Sequence, residues 1–248
     1  MEHALPPLAR LEAREQGAHL HPVDRALILL RLAERAMPER SATEALPLLP
    51  LAERDRRLLI HRRATFGDRM PCLAECPSCG ATQEFELSAA EILTGLDEPR
   101  PEEILETDGW LVRVRALRSA DLAAAAREKT PERAAAVLVA QAIAEARGPD
   151  GETSNRLPDH VWPLIEARVA EREAAAEISL GLACPACGAG WTAGFDIGAH
   201  FWTEVEADAR RLLSEVAALA ERFGWSEEAL LTMPASRRRA YLELARVT

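Results

Sequence analysis

Three features of the sequence predict a mainly α-helical chain with a small antiparallel β element. The pattern Cys-Pro-x-Cys-Gly occurs twice, at Cys76-Pro77-Ser78-Cys79-Gly80 and at Cys184-Pro185-Ala186-Cys187-Gly188. Runs of alternating apolar and polar residues flank both copies, as half-buried strands require. From Phe201 to Phe223 apolar residues recur every three or four positions, the mark of a long amphipathic helix. The expected fold is helical, with a split zinc-ribbon-like site of four cysteines joining two distant segments.

Two thiolates separated by two residues can grip one metal ion from one side of a tight turn. Zinc takes four soft ligands in a tetrahedron, so Cys76, Cys79, Cys184 and Cys187 are the expected ligands of one structural Zn²⁺ per chain. Four thiolates leave no open position for water or substrate, which points to structure rather than catalysis. Two cysteine pairs of an ordinary ribbon lie about 15 to 20 residues apart. The longer chain from Cys79 to Cys184 therefore reads as an insertion whose ends the metal pins together. Competing readings are four buried reduced thiols or a redox pair. A redox CxxC needs one reactive pair near a βαβ pattern, and here there are two ribbon-like knuckles. Cys72 is left over, as a spare thiol, an alternative ligand beside Cys76, or a small buried apolar residue; the last is favoured.

The 248 residues suffice for one large or two small domains with a hydrophobic core. An odd cysteine count, with four assigned to metal, argues against a secreted disulfide framework and for a reducing, cytoplasmic setting. Met1 to Arg14 shows no apolar h-region, so no signal peptide is expected, and no run approaches the ~18 apolar residues of a membrane span. The formal net charge of -10 disfavours nucleic acid as a partner. No HExxH, GxSxG, GxGxxG or Walker A sequence is present. No enzyme activity and no small-molecule substrate are expected. Among six histidines only His19 and His21 have a ligand-like spacing, near the N-terminus.

Residues 1–70 read as an N-terminal helical region. Its first twenty residues show no sustained pattern and are expected to form a loose arm or a surface-docked lead-in. Pro22 suits a first helical turn, and Val23, Ala26, Leu27, Leu30, Ala33 and Met37 follow at helical spacing, up to Pro38 and Ser41. A second helix covers about Leu51 to Thr65, ending at Phe66-Gly67. Its arginines, Arg54, Arg56, Arg57, Arg62 and Arg63, read as a solvated face paired with Glu53 and Asp55, with a docking face as the alternative.

Residues 71–88 and 177–198 form the split zinc-ribbon module, and the two knuckle strands are expected to pair across the metal. Residues 89–176 read as a mainly helical insertion with one or two strands. Within it Ser88 caps a helix carrying Ile92 and Leu93. Trp110 to Arg115 alternates as a strand, helices span 121–129, 130–142 and 159–177, and 147–156 forms a loop punctuated by Gly and Pro. Residues 199–248 form a C-terminal helical hairpin, in which Gly224 ends the long helix, Ser226 caps a short one, and a last helix runs from about Ala235 to Arg246.

The C-terminal residues also carry a resemblance. Phe223-Gly224-Trp225-Ser226, Leu230 through Met233-Pro234, and then Arg237, Arg238, Arg239, Tyr241 and Leu242 resemble the ending of T4-type baseplate hub or tail-assembly proteins. That family occurs in tailed phages and in phage-derived contractile injection systems. Trp110 to Arg115 followed by Ser119-Ala120-Asp121-Leu122 is similar to its strand, turn and helix, and the likeness covers residues 107 to 248 best. It implies a small, non-enzymatic structural or chaperone-like assembly protein of a tail baseplate. Its partners would be other baseplate or tail-assembly proteins. It would sit in the cytoplasm during assembly or within a phage-like tail particle. The doubled knuckle and the alanine-rich composition depart from the family pattern. A zinc-ribbon adaptor binding protein or nucleic acid in a bacterial regulatory complex is the alternative reading.

The expected partner-binding residues are Trp225, Arg237, Arg238 and Arg239. Gly224 forces a corner that holds Trp225, and three consecutive arginines cannot share one helix face at about 100° per residue. Aromatic and arginine side chains become strong interface anchors when a partner desolvates them. The opposing reading has Trp225 plug the hairpin while the arginines pair with Glu227, Glu228 and Glu243.

Overall fold

The computed structural model describes residues 4–35, 46–96, 101–154, 156–174 and 177–247. The chain begins with helices α1 (Pro7–Gly17), α2 (Pro22–Glu34) and α3 (Leu51–Phe66). A first hairpin, β1 (Arg69–Glu75) and β2 (Thr82–Ser88), leads into the short helix α4 (Ala89–Gly95). The middle of the chain holds β3 (Glu103–Thr107), β4 (Trp110–Val114), α5 (Ser119–Ala125), α6 (Pro131–Ala142), β5 (Ile143–Arg147) and α7 (Trp162–Ala174). A second hairpin, β6 (Ser179–Ala183) and β7 (Gly190–Gly194), leads into α8 (Ile197–Phe223), followed by α9 (Glu227–Thr232) and α10 (Ala235–Val247). The architecture is mainly helical with small antiparallel sheets, as expected.

Residues 4–20 are docked on the fold and are not a loose arm. Pro7 sits in the first turn of α1, where its missing N–H costs nothing. Leu11 and Ala13 are buried, and α1 packs along α8. The missed signal was the spacing of four from Leu5 through Ala9 to Ala13, interrupted by Pro6-Pro7. The expected end of the second helix at Met37 to Ser41 lies outside the described residues.

The knuckle strands do not pair with each other. β1 pairs with β2 in register from Arg69↔Ser88 to Glu75↔Thr82, and β6 pairs with β7 from Ser179↔Gly194 to Ala183↔Gly190. Each knuckle is thus the turn of its own two-stranded hairpin. A tight turn closes local antiparallel pairing at little entropic cost, whereas pairing across the metal would close a very long loop. Both hairpins run straight into a capped helix. Ser88 Oγ accepts from the Glu91 N–H at 3.2 Å, and Asp196 Oδ1 accepts from the Ala199 N–H at 3.0 Å.

The insertion holds three strands, not one or two. β3, β4 and β5 form a sheet in that order, and α6 and α7 cover one face. Val112, Val114, Ala142, Val161 and Ile165 are its buried core. β3 was missed because its alternation is only five residues long and follows a polar, proline-rich stretch. β5 was missed because Ile143 to Ala146 continues the alanine-rich composition of α6.

Two further cores sit on α8. Leu29, Leu30, Leu58, Leu59, Met70 and Phe201 gather where its first turns meet α2, α3 and the first hairpin. Leu212, Leu219 and Leu230 gather where its second half meets α9 and α10. The stripe seen in the sequence, from Phe201 through Val205, Ala209, Leu212 and Val216 to Leu219, is the buried face of α8. Each large member contributes roughly 1.5–3 kcal/mol by burial. Gly224 ends the helix with φ +68°, the left-handed conformation a C-terminal cap uses.

The arginines of α3 do not form a solvated face. Arg54, Arg57 and Arg62 are buried. Arg57 Nη1 lies 3.7 Å and His61 Nε2 3.5 Å from the buried Glu34 carboxylate of α2. Arg62 meets Glu204 of α8. The expected partners within the helix are also present, Asp55 at 2.7 Å from Arg54 and Glu53 at 2.6 Å from Arg57, but burial adds carboxylates from other helices.

Candidate metal centre

Each knuckle is built by local hydrogen bonds. The Cys76 N–H donates to Ala81 O at 3.0 Å and the Gly80 N–H to Cys76 O at 2.9 Å. In the second, the Cys184 N–H donates to Ala189 O at 2.8 Å and the Gly188 N–H to Cys184 O at 2.9 Å. Gly80 and Gly188 have φ +72° and +76°, which a residue with a Cβ adopts only at a cost. This is why Gly follows the second cysteine in both copies.

The four sulfurs of Cys76, Cys79, Cys184 and Cys187 all lie within 4.8 Å of one another. Sγ of Cys76 is 3.7 Å from that of Cys187, and Sγ of Cys79 is 3.7 Å from that of Cys184. Four thiolates bound tetrahedrally at about 2.3 Å stand about 3.8 Å apart. The donor set therefore fits one metal ion with thiolate ligands. Cys76 and Cys184 are buried, and Cys79 and Cys187 are exposed. The first cysteine of each knuckle faces the protein and the second faces solvent.

The turn also prepares the sulfurs electrostatically. The backbone N–H of Cys187, with that of Ala186, draws the Cys184 thiol down to about 7. The Ala81 N–H acts in the same sense on Cys79, but the crowded neighbouring thiols outweigh it and push Cys79 up to about 12. A bound cation would relieve that crowding, since a coordinating thiol is deprotonated outright.

Cys72 is not a ligand. It is half-buried against the core below the first hairpin, and burial raises its thiol. His200 is also outside the cluster. Its Nε2 faces Glu204 Oε2 at 3.5 Å, and its ring lies against Phe195. His21 accepts from the Val23 N–H at the start of α2 and forms no ligand pair with His19.

The C-terminal hairpin separates the other expected site residues. Trp225 is half-buried, stacked on Phe223 at 4.7 Å and edge-on to Tyr241 at 4.7 Å. Arg238 is 1% exposed, which corrects its expected place at a partner surface. Its Nη1 donates to Met233 O at 2.6 Å, and its Nε donates to Glu215 Oε2 at 3.2 Å. Its carboxylate partner is Glu215 of α8, not Glu227, Glu228 or Glu243. Arg237 and Arg239 are exposed on either side of it. Their positions about 100° to either side of a buried neighbour point them outward.

The sequence reading missed Arg62. Its Nη1 and Nη2 donate to Gly67 O at 2.7 Å and Arg69 O at 2.8 Å, and its Nε donates to Glu204 Oε2 at 2.8 Å. Nothing local marks it among five arginines of one helix. No helix among the described residues is long and apolar enough to cross a membrane. Compared with protein-family models, with curated proteins and with solved structures, the chain matches none.

Proposed function

We propose that this chain is a non-enzymatic structural or assembly protein of a phage-like tail baseplate, held in shape by one structural zinc ion. The observation that carries the metal is the convergence of Cys76, Cys79, Cys184 and Cys187. All-thiolate ligation at tetrahedral spacing favours zinc over oxygen-seeking cations. When bound, zinc supplies no reaction here, because no ligand position is left for water. Its contribution is folding free energy. The backbone N–H groups of the knuckles orient the sulfurs, and the two hairpins bring the pairs together from opposite sides of a long insertion.

The assembly role rests on the resemblance of the C-terminal sequence. Its residues act together in this chain: Phe223, Trp225 and Tyr241 form one aromatic corner, and Arg238 ties α10 to α8. Such a rigid corner with outward Arg237 and Arg239 suits docking onto an acidic protein surface. Partners are other baseplate or tail-assembly proteins.

Two measurements test this. Elemental analysis of the purified chain should give one zinc per molecule. Sheath, tube and spike genes should flank its own, and co-expression with their products should recover a complex, lost in an Arg237→Ala/Arg239→Ala variant of unchanged melting temperature. Zinc-free folded protein refutes the metal assignment, and failure to recover any tail component refutes the assembly role.

A further inference from the structure

We infer that the free edge of β3 is a docking site for an extended, basic segment of another protein. The case begins at the β3–β4 turn. Asp108 and Gly109 have φ +47° and +79°, the pattern of a two-residue type I′ turn. Such a turn closes on a hydrogen-bonded pair, here Thr107↔Trp110. Pairs then alternate along the ladder. Glu103, Leu105 and Thr107 turn their backbone groups toward β4, while Ile104 and Glu106 turn theirs outward. The same parity appears on the far side of β4, where Leu111 and Arg113 face Arg147 and Glu145 of β5.

The outward N–H and C=O groups of Ile104 and Glu106 meet no backbone partner among the described residues. The opposite edge of the sheet differs, since Thr153 bridges to Arg147 of β5. An unpaired edge is a template for an added strand. Beside it Ile104 and Leu111 are 61% and 44% exposed. With Arg113, Glu145 and Arg147 they line a shallow groove of about 250 Å³. Ile104 is the end of that groove nearest the edge, and an added strand would set one side chain directly beside it.

Charge selects the occupant. Glu102 and Glu103 pair with Arg113 and Arg168, at 3.3 and 3.2 Å. Glu106 is exposed and has no ion-pair partner among the described residues. A second copy of this chain is disfavoured. Antiparallel pairing about Leu105 would set Glu102 beside the other copy's Asp108, on molecules that each carry -10. A strand that carries a basic and an apolar residue two positions apart, both on the exposed face, instead meets Glu106 with opposite charge and Ile104 with apolar surface. This proposal is independent of the metal and of the C-terminal hairpin.

The test uses the full-length chain and a terminally blocked peptide repeating Lys-Thr-Val-Thr, which sets lysine and valine in turn on one face, with a Glu-Thr-Val-Thr repeat as control. The lysine peptide is expected to bind at least tenfold more tightly, and to protect the Ile104 and Glu106 amides from hydrogen exchange. Glu106→Pro removes an outward N–H without touching the β3–β4 ladder, and should weaken binding at least tenfold. Glu106→Lys, which keeps that N–H, should reverse the preference between the peptides. Equal binding of both peptides, no binding of either, or protection elsewhere than β3 overturns the proposal. So does unchanged affinity of a folded Glu106→Pro variant.

Discussion

Arg62 and Glu204 tie together the roots of the two hairpins whose tips carry the cysteines. Arg62 closes α3 and donates to the carbonyls of Gly67 and Arg69, where β1 begins. Glu204 lies in the early turns of α8, the helix that β7 runs into. The hairpins are thus fixed at two points, one ionic at the base and one of thiolates at the turns. Arg62 is 1% exposed and Glu204 21%. Removing one partner of a buried pair strands the other charge. Arg62→Ala is expected to cost about 3 kcal/mol, read as a shift of the urea midpoint. It should also lower metal affinity, because the turns lose their alignment.

The same pair gives a pH dependence of known sign. Burial would raise the Glu204 carboxyl, but its hydrogen bonds to Arg62 and His200 outweigh this and hold it below the usual range. A depressed carboxyl stabilises the fold above its unfolded value, near about 4.3. That contribution is lost as pH falls from there through the folded value. Wild type should therefore lose melting temperature more steeply below about pH 4.5 than Glu204→Gln. Parallel curves for the two proteins would remove this assignment. The comparison cancels thiolate protonation, which both proteins share.

Metal removal should lower stability without a change of sequence. Closing a loop of about one hundred residues is worth up to about 4.7 kcal/mol in chain entropy. For a chain of this size 1 kcal/mol moves the melting temperature by about 2–4 °C. A chelator is expected to lower it by up to roughly 10–20 °C, and added zinc to restore it. Cys184→Ser should mimic the chelator and lose its sensitivity to it. Cys72→Ala should keep full metal content.

Arg238 and its two neighbours should behave differently. Arg238→Ala removes the donor to Glu215 Oε2 and to the Met233 carbonyl, leaving Glu215 with Arg211 alone, and is expected to cost about 2 kcal/mol. The Arg237→Ala/Arg239→Ala double variant should stay within about 0.5 kcal/mol of wild type, as exposed surface changes do. Equal destabilisation by both variants would contradict this packing of α10.

Gly17 sets how closely α1 approaches α8. A Cβ at this position would lie 2.7 Å from Cζ3 of the Trp202 ring and clash with its Cη2. Alanine is the better helix former, yet Gly17→Ala is expected to destabilise by about 1–3 kcal/mol through overpacking. Thermal melts followed by tryptophan fluorescence would read it. A neutral or stabilising outcome would mean that α1 shifts freely.

What was legible in the sequence was local. The knuckles were readable because a CPxCG turn is made by hydrogen bonds between near neighbours in the chain and a glycine of positive φ. The caps at Ser88, Thr130 and Ser226 were readable because each side chain bonds an N–H three residues on. The α8 stripe was readable because a helix repeats its own face. That the four cysteines form one set was also legible, since two incomplete ligand pairs of one kind complete each other.

Tertiary structure alone decided which polar side chains are buried. Arg62 meets a carboxylate 142 residues away, and Arg10 meets Asp208 198 residues away. No periodicity marks which of five arginines in α3 turns inward, because the choice depends on where Glu204 and Glu34 lie in space. Pairing within each hairpin, the inward turn of Arg238 between two outward neighbours, and the open edge of β3 were decided at the same level. The sequence by itself determined the turns, the caps and the set of four cysteines, whose chemistry is short-range. The folded chain determined which charges and strand edges found partners, because those partners are distant in sequence and meet only once the cores have formed.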